Sequence, residues 1–172
     1  MNFVIIDNKT ILIMSAMKRL MQEYKQITED PVEFCSIGIP NPDDLFKWNF
    51  VIIGPEESIF EFGLFTGVII FSKQYPNDPP KVIFERDYYH PNIYKNGEVC
   101  ISILHKGVDF TGYEDSSLRW KPNHGVNTIM ASIYSLFMNI NLDSPANIDA
   151  ARLYKENFDE YKKKVYSIIS SL

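Results

Sequence analysis

Three prolines crowd the segment Tyr75-Pro76-Asn77-Asp78-Pro79-Pro80. Proline has no backbone N–H and a fixed φ, so this stretch can be neither helix nor central strand. It is a rigid corner between runs of β-branched and aromatic residues. Residues 34–39 end at Pro40, residues 48–53 stop at Gly54-Pro55, and residues 64–71 lead into the corner. Residues 81–85 follow it as a fourth short strand. A turn at Asn41-Pro42-Asp43-Asp44 and a link over 56–63 join the earlier runs. Consecutive strands with short connections predict an antiparallel meander.

Helical spacing brackets these strands. Ile13, Met17, Leu20, Met21, Tyr24 and Ile27 predict a first helix over 10–29, ended by Asp30-Pro31. Lys18, Arg19 and Lys25 lie off that stripe and are expected to be exposed. Val126, Ile129, Met130, Ile133, Phe137 and Ile140 form a wide apolar stripe with Asn123 as the expected N-cap. Residues 147–157 and 158–171 complete two more helices, with Tyr161, Val165, Ile168 and Ile169 inward. The order of helix, four strands, loop and helices predicts an α+β fold with helices on one face and at the ends of the sheet. Residues 1–14 are read as an N-terminal extension and 15–172 as one domain.

Composition narrows the function classes. A chain of this length buries roughly 70% of its extended surface and needs no disulfide or metal to fold. The net charge of -5 argues against general nucleic-acid binding. Two cysteines, Cys35 and Cys100, are too few for a disulfide framework and suit a reducing compartment. No run reaches about 18 apolar residues, so no membrane span is expected. The apolar start, Phe3-Val4-Ile5-Ile6 and Ile11-Leu12-Ile13, is split by Asp7-Asn8-Lys9 and lacks the shape of a signal peptide.

The segment from His90 to Trp120 has little periodicity, yet Ile93, Val99, Ile101, Ile103 and Leu104 anchor it. A long, ordered, irregular segment in a compact chain is a candidate active-site loop. Cys35 sits in a strand-like run and reads as a core residue. Cys100 lies among polar residues. A thiol of ordinary pKa, about 8.5, is competent toward an activated acyl group and poor against a stable amide, which favours transthiolation over proteolysis. In His90-Pro91-Asn92, the Asn92 carboxamide can donate to an oxyanion or brace the loop. His90, Cys100, His105 and His124 lack metal-ligand spacing, so no metal is expected. A cysteine peptidase lacks a local signature here, and an inert Cys100 in an interaction module stays open.

These residues resemble the ubiquitin-conjugating enzyme family. The proline corner is similar to its Tyr-Pro-x-x-Pro-Pro turn, and Tyr89-His90-Pro91-Asn92 contains its His-Pro-Asn signature. Cys100 stands eight residues after Asn92, as its catalytic cysteine does, and Trp120-Lys121-Pro122 is similar to its Trp-x-Pro. The resemblance runs from about Met14 to the C-terminus. It implies that Cys100 carries ubiquitin as a thioester, with Asn92 supporting the oxyanion or the loop. His90 and Pro91 would support the loop, Tyr89 would line the cleft, and Tyr75-Pro76 would be cis. Ubiquitin, an activating enzyme, a ligase of RING type and protein substrates are the implied partners. No cofactor is implied, because ATP serves the activating enzyme.

Nineteen residues separate Cys100 from Trp120, far more than a minimal family member carries. Cys100-Ile101-Ser102-Ile103-Leu104-His105, Gly112-Tyr113-Glu114 and Ser144-Pro145-Ala146-Asn147 resemble the G-type branch. That branch builds degradative chains, and one arm of it serves endoplasmic-reticulum-associated degradation, so a cytoplasmic site at the cytosolic face of that membrane is implied. The insertion would gate the thioester, with His105 at its base and Asp109, Glu114 and Asp115 as its carboxylates. Asp143 and Ser144, outside the insertion, would complete the gate. The branch often has an acidic pair where Asp109 stands alone. Lys18 and Arg19 would meet the activating enzyme; Pro76, Asn77, Trp120, Lys121 and Pro122 would meet the ligase. Asn77 replaces the usual apolar residue. Another ubiquitin-like modifier, or a non-catalytic scaffold, are the competing readings.

Overall fold

A computed structural model describes residues 7–109 and 115–170. The chain runs α1 (Asn8–Glu29), β1 (Cys35–Gly38), β2 (Lys47–Ile53), β3 (Leu64–Ile70), β4 (Lys81–Phe84), α2 (Val126–Met138), α3 (Ile148–Glu156) and α4 (Phe158–Ile169). The strands form one antiparallel sheet in the order β1-β2-β3-β4. This is the α+β meander expected from the sequence.

Alternation sets the inner face of the sheet. Trp48, Phe50 and Ile52 on β2, Phe65 and Ile69 on β3, and Val82 and Phe84 on β4 are buried. Gly67 continues the inward row of β3, and the Phe50 ring occupies the space where its side chain would be: a Cβ there would fall 2.4 Å from that ring. α2 lies over this face through Val126, Ile129, Met130, Ile133 and Phe137. The Phe137 ring stands 4.5 Å from Phe65 and 5.0 Å from Phe60. α1 buries Ala16, Leu20, Glu23 and Ile27, and its Tyr24 meets Trp48 edge-on at 5.4 Å.

The starts of α1 and α2 differ from the sequence reading. α1 begins at Asn8, because the Asp7 carboxylate accepts from Thr10 N at 2.6 Å and caps it. Residues 8–14 are therefore its first two turns, continuous with the domain, while residues 1–6 of the expected extension lie outside the described residues. α2 is not capped by Asn123. Gly125 holds the N-cap position, and the Glu23 carboxylate from α1 accepts from Val126 N at 2.7 Å. A carboxylate at a helix start also suits the helix dipole.

Glu23 is a buried polar tie between three elements. It is 5% exposed and also accepts from the Tyr75 hydroxyl at 2.5 Å and from Arg19 Nε at 2.6 Å. One side chain thus fixes α1, the proline corner and the start of α2 to each other. Burial, followed by the Glu23 charge, pushes the Tyr75 phenol above its ordinary range, so it stays a donor. The Tyr75-Pro76 bond is cis, as the resemblance implied.

Candidate active site

The segment between β4 and α2 is held by its buried ends. Tyr88 is packed between Phe65 and Phe84, and its hydroxyl accepts from Thr66 N at 3.2 Å. Tyr89 turns the chain through a left-handed conformation, φ 55°. His90 is fully buried; its Nδ1 accepts from Asn92 N at 3.0 Å, and its Nε2 faces Leu136 O at 3.3 Å. Those partners require the neutral tautomer with the proton on Nε2. Burial lowers its pKa to about 4, against a smaller opposing effect of the Leu136 carbonyl. His90 is a fixed strut and takes no proton at neutral pH.

Past His90 the chain makes a short hairpin. Asn96-Gly97 forms its turn, with Tyr94 N donating to Glu98 O at 2.9 Å and Ile93 paired with Val99. Gly97 has φ 86°, and a Cβ there would lie 2.1 Å from Phe84 O. Only glycine lets the hairpin approach β4 this closely. Val99 N bonds to Val82 O at 2.9 Å and Cys100 N to Asn92 O at 3.0 Å, so the backbone at Cys100 is held from two sides. A 3-10 turn, Ser102–Leu104, follows.

Cys100 is half-buried at the boundary of two recesses. One, of about 480 Å³, is lined by Pro79, Lys81, Tyr94, Glu98 and His105 among others. The second, of about 360 Å³, is lined by Ser102, Asp115, Leu118, Asn141, Asp143 and Ser144 among others. The Tyr94 hydroxyl donates toward Sγ at 3.7 Å, and His105 Nε2 lies 3.8 Å from it. These are long contacts suited to sulfur, and each can stabilise a thiolate. The Cys100 contact raises the Tyr94 pKa, which keeps the phenol protonated as a donor. Cys35 is the opposite case: burial pushes its thiol up to about 12.

The expected site residues separate into groups. Asn92 is buried, with Nδ2 donating to Asn141 O at 2.7 Å and Oδ1 accepting from Asn141 N at 3.0 Å. Both heteroatoms bond to the backbone of one residue, so the carboxamide braces the loop. Asn141 Oδ1 in turn accepts from Asp143 N at 2.9 Å, linking the brace to the recess wall. Pro91 is fixed by Asn147 N, which donates to its carbonyl at 2.9 Å. Tyr89 supports the loop but does not line the cleft: its ring packs on Tyr161 of α4, with Lys164 Nζ 3.5 Å over it.

Of the gate residues, His105, Asp143 and Ser144 line one of the two recesses, while half-buried Asp109 lines neither. Asp115, named in sequence only as a local carboxylate, does line one. It caps the turn Ser116–Leu118 through Ser117 N at 2.8 Å, and that bond holds its pKa below the usual value. Glu114 lies outside the described residues.

Two residues assigned to docking are less exposed than expected. Arg19 is not an exposed cation. Besides Glu23, it donates to Pro122 O at 3.0 Å and His124 O at 2.9 Å, because α1 runs beside the loop before α2. Trp120 is 6% exposed, and its Nε1 donates to Pro76 O at 2.7 Å. Both therefore shape the two loops from beneath. Asn77, Lys121 and Pro122 form the exposed surface, with Pro76 half-buried, and Lys18 is exposed on α1.

Glu23, Tyr94, Asn141 and Asn147 were missed. For Tyr94 a signal existed: the Asn96-Gly97 dipeptide marks a hairpin and pairs Tyr94 with Glu98.

Among the described residues no cluster of His, Cys, Asp and Glu could hold a metal ion, and no helix is long and apolar enough to cross a membrane. A half-buried thiol between two recesses, with a phenol donor and an imidazole nitrogen beside its sulfur, defines a cysteine site open to acyl-transfer chemistry.

Comparison with known proteins gives that class its family. The ubiquitin-conjugating enzyme family matches residues 19–169. The chain is 43% identical over 151 residues to ubiquitin-conjugating enzyme E2 15 of Schizosaccharomyces pombe, covering 87% of this chain and 90% of that one. It is 42% identical over 156 residues to ubiquitin-conjugating enzyme E2 G2 of Homo sapiens, covering 90% and 94%. With ubiquitin-conjugating enzyme E2 13 of Arabidopsis thaliana it shares 45% over 147 residues, covering 85% and 89%. The chain belongs to the ubiquitin-conjugating enzyme family and fits its G-type branch. It is a transferase of that pathway, and membership implies ubiquitin, an activating enzyme and a ligase as partners.

Proposed function

We propose that Cys100 accepts the C-terminus of ubiquitin from the activating enzyme as a thioester and passes it, with a ligase, to a substrate lysine. The observation that carries this is the position of Cys100 at the edge of an open recess walled by Asp115, Asp143 and Ser144. The acyl group would occupy one side of the sulfur while an amine approaches from that recess. The ammonium first loses a proton to solvent. Attack by the neutral amine then forms the isopeptide C–N bond and breaks the C–S bond, and the proton the amine nitrogen gives up passes through solvent to the departing thiolate. The thiolate leaves beside the Tyr94 hydroxyl and His105, which stabilise it. Asp115 and Asp143 attract the incoming ammonium and hold it near the carbonyl. Asn92 acts as a positioning residue, through Asn141.

The G-type resemblance supports degradative polyubiquitin chains. It also supports a cytoplasmic location at the cytosolic face of the endoplasmic reticulum through a partner. A RING-type ligase would meet Asn77, Lys121 and Pro122, and Lys18 would serve the activating enzyme. No cofactor takes part on this chain. The test is discharge of charged enzyme onto free lysine. Asp143→Asn should charge normally and discharge more slowly, whereas equal discharge would remove Asp143 from the mechanism. If charged wild-type enzyme gave nothing to lysine or to a ligase-bound substrate, the transfer step would be refuted.

A further inference from the structure

The proline corner is fastened at two points to the chain beside the thiol. Trp120 Nε1 donates to Pro76 O at 2.7 Å, and Trp120 N donates to His105 O at 2.9 Å. One residue further on, the Lys106 ammonium is paired with the Asp78 carboxylate. The two ties run from the two ends of residues 76–78 to adjacent residues, His105 and Lys106. His105 N donates to Ser102 O at 2.9 Å, so the backbone is held before, at and after His105. Gly107 follows at φ 81° with no atom within 4 Å of the place for a Cβ, and the chain is exposed from Lys106 to Val108.

The ion pair joins two walls of one recess. Pro79 and Pro80 from the corner, and Leu104 and His105 from the chain after the thiol, line the recess of about 480 Å³ that contains Cys100. Within it, His105 Nε2 stands 3.8 Å from Sγ. A displacement of about 1 Å at His105 is enough to break a contact already this long. The Asp78 side chain is 27% exposed and that of Lys106 57%, so the pair adds little to folding stability. Its leverage is positional, because Lys106 is the covalent neighbour of His105.

We propose that Asp78 and Lys106 are positioning residues for Cys100. Their ion pair clasps the proline corner to the chain beyond the thiol and keeps His105 against the sulfur. The inference rests on the reading of His105 as a stabiliser of the thiolate. The clasp and a direct field effect differ in sign at Asp78. Removing its negative charge favours the thiolate by charge alone. Losing the clasp disfavours the thiolate, because His105 is no longer held beside it.

The test measures how fast iodoacetamide, an uncharged reagent, alkylates Cys100 in the full chain at neutral pH, read by mass spectrometry. Asp78→Asn and Lys106→Met should each slow the reaction by roughly 2–5-fold, the range that an exposed pair can transmit. Asp78→Lys combined with Lys106→Asp restores a pair and should bring the rate to within about 2-fold of wild type. In a His105→Gln background, Asp78→Asn should cause no slowing, because the ring it positions is gone. The inference is overturned by an unchanged or faster rate in Asp78→Asn, by equal slowing in both backgrounds, or by a swap as slow as the single variants. If His105→Gln alone reacted at the wild-type rate, the reading of His105 would fall and this inference with it, whereas the thioester on Cys100 would stand or fall by charging.

Discussion

Replacing Glu23 with alanine should be among the most damaging single changes outside the aromatic core. The carboxylate accepts from Tyr75 OH, Val126 N and Arg19 Nε at 2.5, 2.7 and 2.6 Å. Removing it strands two buried donors, Tyr75 OH and Val126 N, each costing about 1–3 kcal/mol. Arg19 adds less: its side chain is 27% exposed, it keeps the Pro122 and His124 carbonyls, and water can replace the lost partner. The expected loss is about 3–5 kcal/mol, the range for breaking a buried charged network. Urea unfolding should read it as a midpoint lowered by about 1.5–2.5 M at a slope near 2 kcal/mol/M. A double-mutant cycle with Tyr75→Phe should show strong coupling, because the two changes remove one shared bond. A loss below about 1 kcal/mol, or additive effects, would refute the view that Glu23 joins the three elements.

Other outcomes follow from the same geometry. His90 has a folded pKa of about 4, below its unfolded value near 6.5, so the unfolded chain binds more protons between them. Its contribution is complete above pH 6.5 and is lost as pH falls toward 4, by about 3 kcal/mol, so His90→Gln should flatten the pH dependence of the urea midpoint in that window. Gly97→Ala should cost about 2–5 kcal/mol, because strain at φ 86° adds to a clash with Phe84 O. Gly107→Ala meets nothing within 4 Å at φ 81° and should cost about 1 kcal/mol, which thermal unfolding of both variants would compare. Iodoacetamide at neutral pH should label Cys100 and spare Cys35 in the folded chain, since burial pushes the Cys35 thiol up to about 12; mass spectrometry would report equal labelling if that burial were wrong.

The sequence was readable where a residue's role is local. β-Branched and aromatic content marked residues 48–53 as a strand, and helical spacing placed Ile129, Ile133 and Phe137 on one stripe; both hold in the structure. The strut and the thiol were legible because His90-Pro91-Asn92 and Cys100 lie at a fixed spacing within one segment. Roles that depend on distant backbone were not legible. Arg19 sits off the apolar stripe, which normally means solvent, yet its guanidinium reaches carbonyls more than a hundred residues away. Glu23 reads as one more polar residue on a helix until Tyr75 and Val126 are brought to it. Asn92 could be read as donor or brace, and its partner is the backbone of Asn141, which no sequence spacing points to.

The central claim is that Cys100 is the acyl carrier, and its most direct measurement is charging with ubiquitin, activating enzyme and ATP, resolved with and without thiol reductant. The account predicts a wild-type adduct that vanishes on reduction, and on Cys100→Ser either no adduct or one that resists reduction. A reducible adduct that persists in Cys100→Ser, or a folded wild-type chain that never charges, would contradict it.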